Sequence, residues 1–103
     1  MALDVRVISP DRVVFEGEVS SLVAPAWDGR LGILSGHAPM VTLLGAGELN
    51  LDRPGGDSDS FYVAAGVLKV ERDAVTVLTE YAGNEPPDEL PPDAMVFAED
   101  VIE

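Results

Sequence analysis

The 103-residue chain carries one histidine, no cysteine and nineteen acids, and any chemistry would have to be built from these. His37 lies in Gly36-His37-Ala38-Pro39, with Ser35 just upstream. A nucleophilic triad needs a nucleophile held by a base and an orienting acid, and no Gly-x-Ser-x-Gly elbow presents such a nucleophile. A metal would rest on this one histidine plus carboxylates, and neither His-x-His nor His-Glu-x-x-His spacing occurs. Without cysteine there are no thiolate ligands and no disulfides. Gly29, Gly32 and Gly36 make no phosphate cradle, because no Lys-Ser/Thr follows and no helix opens there. Their expected role is backbone geometry. Nineteen acids on a small surface form carboxylate pairs by chance, so such pairs carry no signal. We therefore assign no catalytic, metal-ligating or cofactor-binding residue and expect no cofactor.

The remaining candidates are contact residues. Trp27 adjoins the turn signal Asp28-Gly29, where a large aromatic either folds back on the core or is offered to a partner. The formal net charge of −13 is uneven. From Asn84 onward there are seven acids and no base, so residues 84–103 carry −7 and the body −6. Nucleic-acid and lipid-surface binders need clustered Lys and Arg, which makes both partner classes a poor match. No apolar run approaches the roughly 20 residues of a membrane helix, and the first residues lack a secretory signal pattern. The expected compartment is cytoplasmic.

Positioning such residues falls to strands. Leu3, Val5 and Val7 alternate with Asp4 and Arg6, the period of a half-buried strand. Pro10-Asp11 marks a turn. Arg12–Glu18 and Val19–Pro25 follow as strands, with Gly17 a candidate bulge. Arg30–Leu34, Met40–Leu44 and Glu48–Asp52 come next, with Gly45-Ala46-Gly47 read as a turn. Arg53–Ser58 reads as a loop tip that nothing apolar anchors. Phe61–Ala65 and Val67–Glu71 flank Gly66, and Arg72-Asp73 is a tight connection into Ala74–Thr79. The expected fold is all-β: a flattened sandwich or barrel of about ten short strands over residues 1–83. Residues 84–103 form a Pro-rich acidic tail, with Asn84–Pro92 an extended linker. Beyond it, Asp93 is an N-cap candidate, and Ala94–Ala98 suits a short helix or an edge strand.

Five blocks in order resemble one family. Asp28-Gly29-Arg30-Leu31-Gly32-Ile33, then Gly36-His37-Ala38-Pro39 before an apolar strand, is similar to the signature of the epsilon subunit of F-type ATP synthases. Leu3-Asp4-Val5 to Ser9-Pro10 with Val13–Gly17 resembles that family's opening hairpin, and Gly45–Leu49 its central turn. Phe61–Val63 with Ala65–Val70 resembles its strand pair, and Asp73–Leu78 its closing strand. The resemblance covers residues 3–82.

It implies a non-catalytic central-stalk subunit of a proton-translocating synthase, bound to the gamma subunit and the c-ring, peripheral on the cytoplasmic face of the cell (inner) membrane. It implies ring contacts at Asp28, Gly29, Arg30 and Leu31, and gamma contacts at Ser9, His37 and Thr42. Neither nucleic acid nor direct lipid insertion is expected. Arg30 stands where the family usually has an acid, which implies an acidic ring loop or a weaker contact. Ser35 stands where proline is common, which removes some rigidity. Full-length members continue into a two-helix domain, and Phe97–Glu103 resembles the lead into its first helix. That domain's inhibitory and ATP-binding roles are not carried over. Two other readings stay open on residues alone: a free-standing sandwich binding a small ligand or peptide, and an enzyme pairing His37 with a carboxylate.

Overall fold

The computed structural model describes residues 2–87. Its regular elements are β1 (Leu3–Ser9), β2 (Arg12–Val19), β3 (Ser21–Ala26), β4 (Gly29–Leu34), β5 (Met40–Leu43), β6 (Ala46–Asp52), β7 (Ser58–Glu71) and β8 (Ala74–Gly83). The all-β expectation holds, with eight strands in place of about ten. The expected features beyond Pro87, including the Asp93 cap and the Ala94–Ala98 element, lie outside the described residues.

The strands form one sheet in the order β2-β1-β8-β7-β6-β3-β4, with β5 pairing β7. Only Ser20 joins β2 to β3, yet these two strands stand at nearly opposite ends of that order. A flat sheet cannot satisfy this, so the sheet folds over on itself. Val19 on β2 and Ile33 on β4 accordingly share one buried cluster with Val5, Leu22, Leu68 and Val77. The sheet has two free ends and is not a closed barrel.

The fold line runs through the middle of β7. Its first half pairs with β6 and its second half with β5, while β8 follows it along both halves. At the junction Ala65 has φ +65° and Gly66 has φ +121°. Inward-facing parity changes there, from Phe61 and Val63 to Leu68 and Val70. A Cβ on Gly66 would sit 1.9 Å from the Leu78 carbonyl oxygen. Thr79, buried beside this crease, donates its hydroxyl to the Ala65 carbonyl at 2.8 Å. A buried hydroxyl needs such a partner.

Three local expectations change. Phe61–Ala65 and Val67–Glu71 are one bent strand, because Gly66 bends the ladder without ending it. Gly45-Ala46-Gly47 is not a turn: β5 and β6 run on in the same direction against β7, and Leu44 and Gly45 hydrogen-bond across the crease to Gly66 and Pro25. The bulge in β2 falls at Val14, since pairing shifts from Val7–Phe15 to Ile8–Val13, and Gly17 sits in register opposite Val5.

Arg53 is also anchored. Its guanidinium lies 5.4 Å over the Phe15 ring and pairs with Asp59 at 2.6 Å, while Phe15 meets Phe61 at 6.2 Å. This cluster joins β2 to the β6–β7 hairpin.

Gly66→Ala is expected to lower unfolding stability by about 3 kcal/mol or more, combining strained φ with a backbone clash. Gly32→Ala, with open space around its Cα, should stay within about 0.5 kcal/mol. Urea unfolding of both variants checks this.

Candidate functional site

The β3–β4 turn carries Trp27 and Asp28 between the paired residues Ala26 and Gly29. Asp28 and Arg30 are exposed, Gly29 is half-buried, and Leu31 packs partly against the core. Asp28 thus lies in the two-residue turn, while Gly29, Arg30 and Leu31 open β4 in register with Ala26, Pro25 and Ala24. Trp27 is 50% exposed, and its amide donates to the Leu43 carbonyl at 3.0 Å, which sets the turn beside β5.

At the far end of β4 the chain crosses to β5 through residues 35–39. His37 N donates to Leu34 O at 3.1 Å, and Gly36 has φ +88°, as the third position of a type II turn requires. The Asp73 carboxylate, from the β7–β8 turn, accepts from the Gly36 amide at 2.7 Å and from the Ser35 hydroxyl at 3.0 Å. These bonds hold the Asp73 pKa below the usual carboxylate range, the Gly36 amide being the larger cause. His37 is half-buried, with Nδ1 2.8 Å from the Ala38 carbonyl. The carboxylate beside this loop thus engages Ser35 and Gly36, and among the described residues the imidazole's hydrogen-bond partner is the Ala38 carbonyl and not an acid.

Sequence reasoning missed an apolar row on the outer face. Pairing register sets Leu43 opposite Val67, Val67 opposite Leu78, Leu78 opposite Ile8, and Ile8 opposite Val13. The parity of their buried neighbours Val7, Leu68 and Val77 puts all five on the outer face. Leu43, Leu78 and Val13 are 47%, 46% and 49% exposed. The row crosses five strands, about 19 Å at the usual strand spacing. Contiguous exposed apolar surface of this kind marks contact sites. The next row holds Lys69 and Arg6, with Lys69–Glu71 and Arg6–Glu16 ion pairs. An apolar strip beside a charged border has the anatomy of a protein interface. Each row member sits at an outward position of an alternating strand and looks unremarkable alone; only register joins them.

The opposite outer face is built differently. Ser21 and Ser58 donate to the Asp52 carboxylate at 3.3 and 3.1 Å, and Ser60 donates to Asn50 at 2.8 Å. These polar side chains are satisfied among themselves, and Leu34, 64% exposed, stands opposite Ser21 at the edge of the same face.

Ser9 and Thr42 occupy core-side positions of strands that belong to the row. Ser9 is buried, and its hydroxyl donates to Asp11 at 3.0 Å in the β1–β2 turn. Thr42 pairs with buried Leu68, whereas its neighbours Val41 and Leu43 point outward. A one-residue step along a strand changes the face. Ser9 and His37 do not converge. Asp4 adjoins the Asp73 turn, and Ser9 lies five residues further along β1, about 17 Å at ordinary strand rise. Ser9, Thr42 and His37 are thus spread over one layer. A groove of about 470 Å³ runs along Ile8, Val67 and Leu78 beside Ser9 and Thr79. It is open along the sheet face and belongs to the row, unlike the enclosed site a small ligand needs.

Residues 2–85 match the family described as ATP synthase, Delta/Epsilon chain, beta-sandwich domain. The chain is 44% identical over 82 residues to the ATP synthase epsilon chain of Nitrosococcus oceani, covering 80% of this chain and 59% of that one. It is 46% identical over 82 residues to the ATP synthase epsilon chain of Synechocystis sp., covering 80% and 60%. It therefore spans about three fifths of the length of these relatives. A chain in the Euglena gracilis mitochondrial ATP synthase (OSCP/F1/c-ring, rotational state 1) superposes with a TM-score of 0.75 at 23% identity, covering 79% of this chain and 52% of that one. A chain in the Tetrahymena thermophila mitochondrial ATP synthase central stalk and c-ring gives 0.68 at 14% identity, covering 82% and 67%. These two likenesses speak to the fold.

The Asp73 bonds make a pH prediction. A carboxylate whose folded pKa is lowered stabilises its contacts above the unfolded value, near 3.9, and loses them as pH falls through the folded value. The Gly36 amide proton resonance should hold steady above about pH 5 and move below about pH 4, and Asp73→Asn should abolish this titration. An NMR titration from pH 6 to pH 2 reads it directly.

Proposed function

The chain belongs to the ATP synthase delta/epsilon chain family through its β-sandwich domain, and on that premise we propose that it is a non-catalytic central-stalk subunit of a proton-translocating F-type synthase. It docks on the gamma subunit and on the c-ring and so couples rotation to ATP synthesis. Its station is the cytoplasmic face of the cell (inner) membrane, held there by its partners. One observation carries the gamma half of this assignment: the apolar row Leu43–Val67–Leu78–Ile8–Val13 on one outer face, against a self-satisfied polar ladder on the other.

The gamma contact uses this row as its centre, with His37 at its margin and Ser9 and Thr42 beneath it on the core side of the same strands. Burying the row gains roughly 25 cal/mol per Å² of apolar surface, and fully desolvated members of such a strip dominate binding. The ring contact uses Asp28 on the β3–β4 turn with Gly29, Arg30 and Leu31 at the start of β4. Arg30 is exposed in a strongly acidic chain, which suits an acidic group on the ring loop.

Purified chain, gamma subunit and solubilised c-ring from the same source test both halves. Leu78→Arg should weaken gamma binding about tenfold or more and leave ring binding unchanged. Arg30→Glu should do the reverse. A parent chain that binds neither partner would overturn the assignment.

A further inference from the structure

We propose that Asp73 is a positioning residue for docking: its carboxylate holds the 35–39 loop so that His37 and the start of β5 are preset for the gamma subunit. This rests on the gamma contact proposed above. The observation behind it is a link between segments 37 and 38 residues apart in sequence, made by two bonds from one carboxylate.

The anchor side of this link is stiff. Arg72 and Asp73 have φ +52° and +63°, the two left-handed residues of a tight hairpin between paired Glu71 and Ala74. The Asp73 carbonyl also accepts the Asp4 amide at 2.8 Å, which binds the turn to β1 as well as to β7 and β8. The carboxylate therefore projects from the junction of three strands.

The held side has few restraints among the described residues. There β5, of four residues, pairs with β7 and accepts the Trp27 amide at Leu43, at the end away from the loop. Between Leu34 and Met40 the loop's backbone makes one internal bond, His37 N to Leu34 O, plus the Gly36 amide on Asp73. Ser35 stands where a proline would stiffen the loop covalently, and here its hydroxyl provides one of the two bonds to Asp73. Charge-assisted bonds to a fixed carboxylate are stronger than neutral ones. Without them the segment 35–39 has to be ordered at the moment of binding, and that ordering reduces affinity. Val41 follows on the same short strand one residue after the loop, whereas Leu43 at its far end is held by Val67 and by the Trp27 amide.

Asp73→Gly tests this cleanly, because glycine keeps the left-handed turn and removes the carboxylate. Ser35→Ala removes one bond and leaves the turn untouched. Gamma binding should fall roughly tenfold in Asp73→Gly and less in Ser35→Ala. C-ring binding should stay at parental strength in both, since the ring turn lies at the other end of β4. Amide exchange at Gly36 should accelerate while that of Leu49 and Leu51 does not. General destabilisation would lower both partner affinities and speed exchange throughout, and that result overturns the proposal. So does an Asp73→Gly chain that loses Gly36 protection yet binds gamma like the parent. A parent that binds the ring but not gamma overturns the gamma contact and this inference with it, whereas failure of the anchor alone leaves parental gamma binding intact.

Discussion

The backbone of β7 approaches that of β8 so closely at Gly66 that a single methyl group would collide with the Leu78 carbonyl. The bend in β7 depends on this contact. It lets one strand bend through the fold line without losing its ladder, and it is clasped by the buried Thr79 hydroxyl on Ala65. The bend exchanges inward and outward parity within β7, so Leu68 and Val70 complete the core while Val67 turns outward. Had the strand continued straight, alternation from Val63 would have put Val67 inside and Leu68 outside. The crease thus makes the core and the outer row together.

A surface so divided has its polar side chains near the loop already committed. The polar groups near His37 are already engaged: Asp73 holds Ser35 and Gly36, and the His37 ring faces its neighbour's carbonyl. Groups that are used up in holding a loop's shape are poor acids and bases but good templates. The high negative charge has the same bearing. It discourages anionic partners, favours soluble monomers, and speeds encounter with a partner that offers bases. Lys69 and Arg6, paired with Glu71 and Glu16 beside the apolar row, leave that row close to locally neutral.

Much of the architecture was legible in the residues. Alternation in Leu3–Val7 and Leu68–Glu71, and the turns at Pro10-Asp11 and Arg72-Asp73, predict the observed strands because side chains there obey a single period. The misses share one cause. Gly45-Ala46-Gly47 and Gly66 look like punctuation, but each is a place where two backbones come close, and only the partner strand tells a bend from a break. Gly17 and Val14 show the same blindness, since a bulge is a property of pairing and not of one strand. At the site, the signature around Gly36-His37-Ala38-Pro39 located the presented loop. It gave no hint of Asp73, whose contribution exists only because a distant hairpin folds beside it, nor of a row whose five members come from five strands.

The β3–β4 turn and the Asp73-held loop sit at opposite ends of β4, and the apolar row lies across β5, which begins at that loop and ends beside Trp27. Under the docking proposed above, with one partner at the turn and another on the row, this arrangement would have a mechanical consequence. Force entering at the turn reaches the row through Trp27–Leu43 and the crease, both hydrogen-bonded backbone paths, and not through a flexible linker. Hydrogen-bonded strands deform little along their length because each residue is fixed on one or both sides. A sheet creased once and clasped at the crease resists bending between the turn and the row, which would hold the two proposed contact regions at a constant separation.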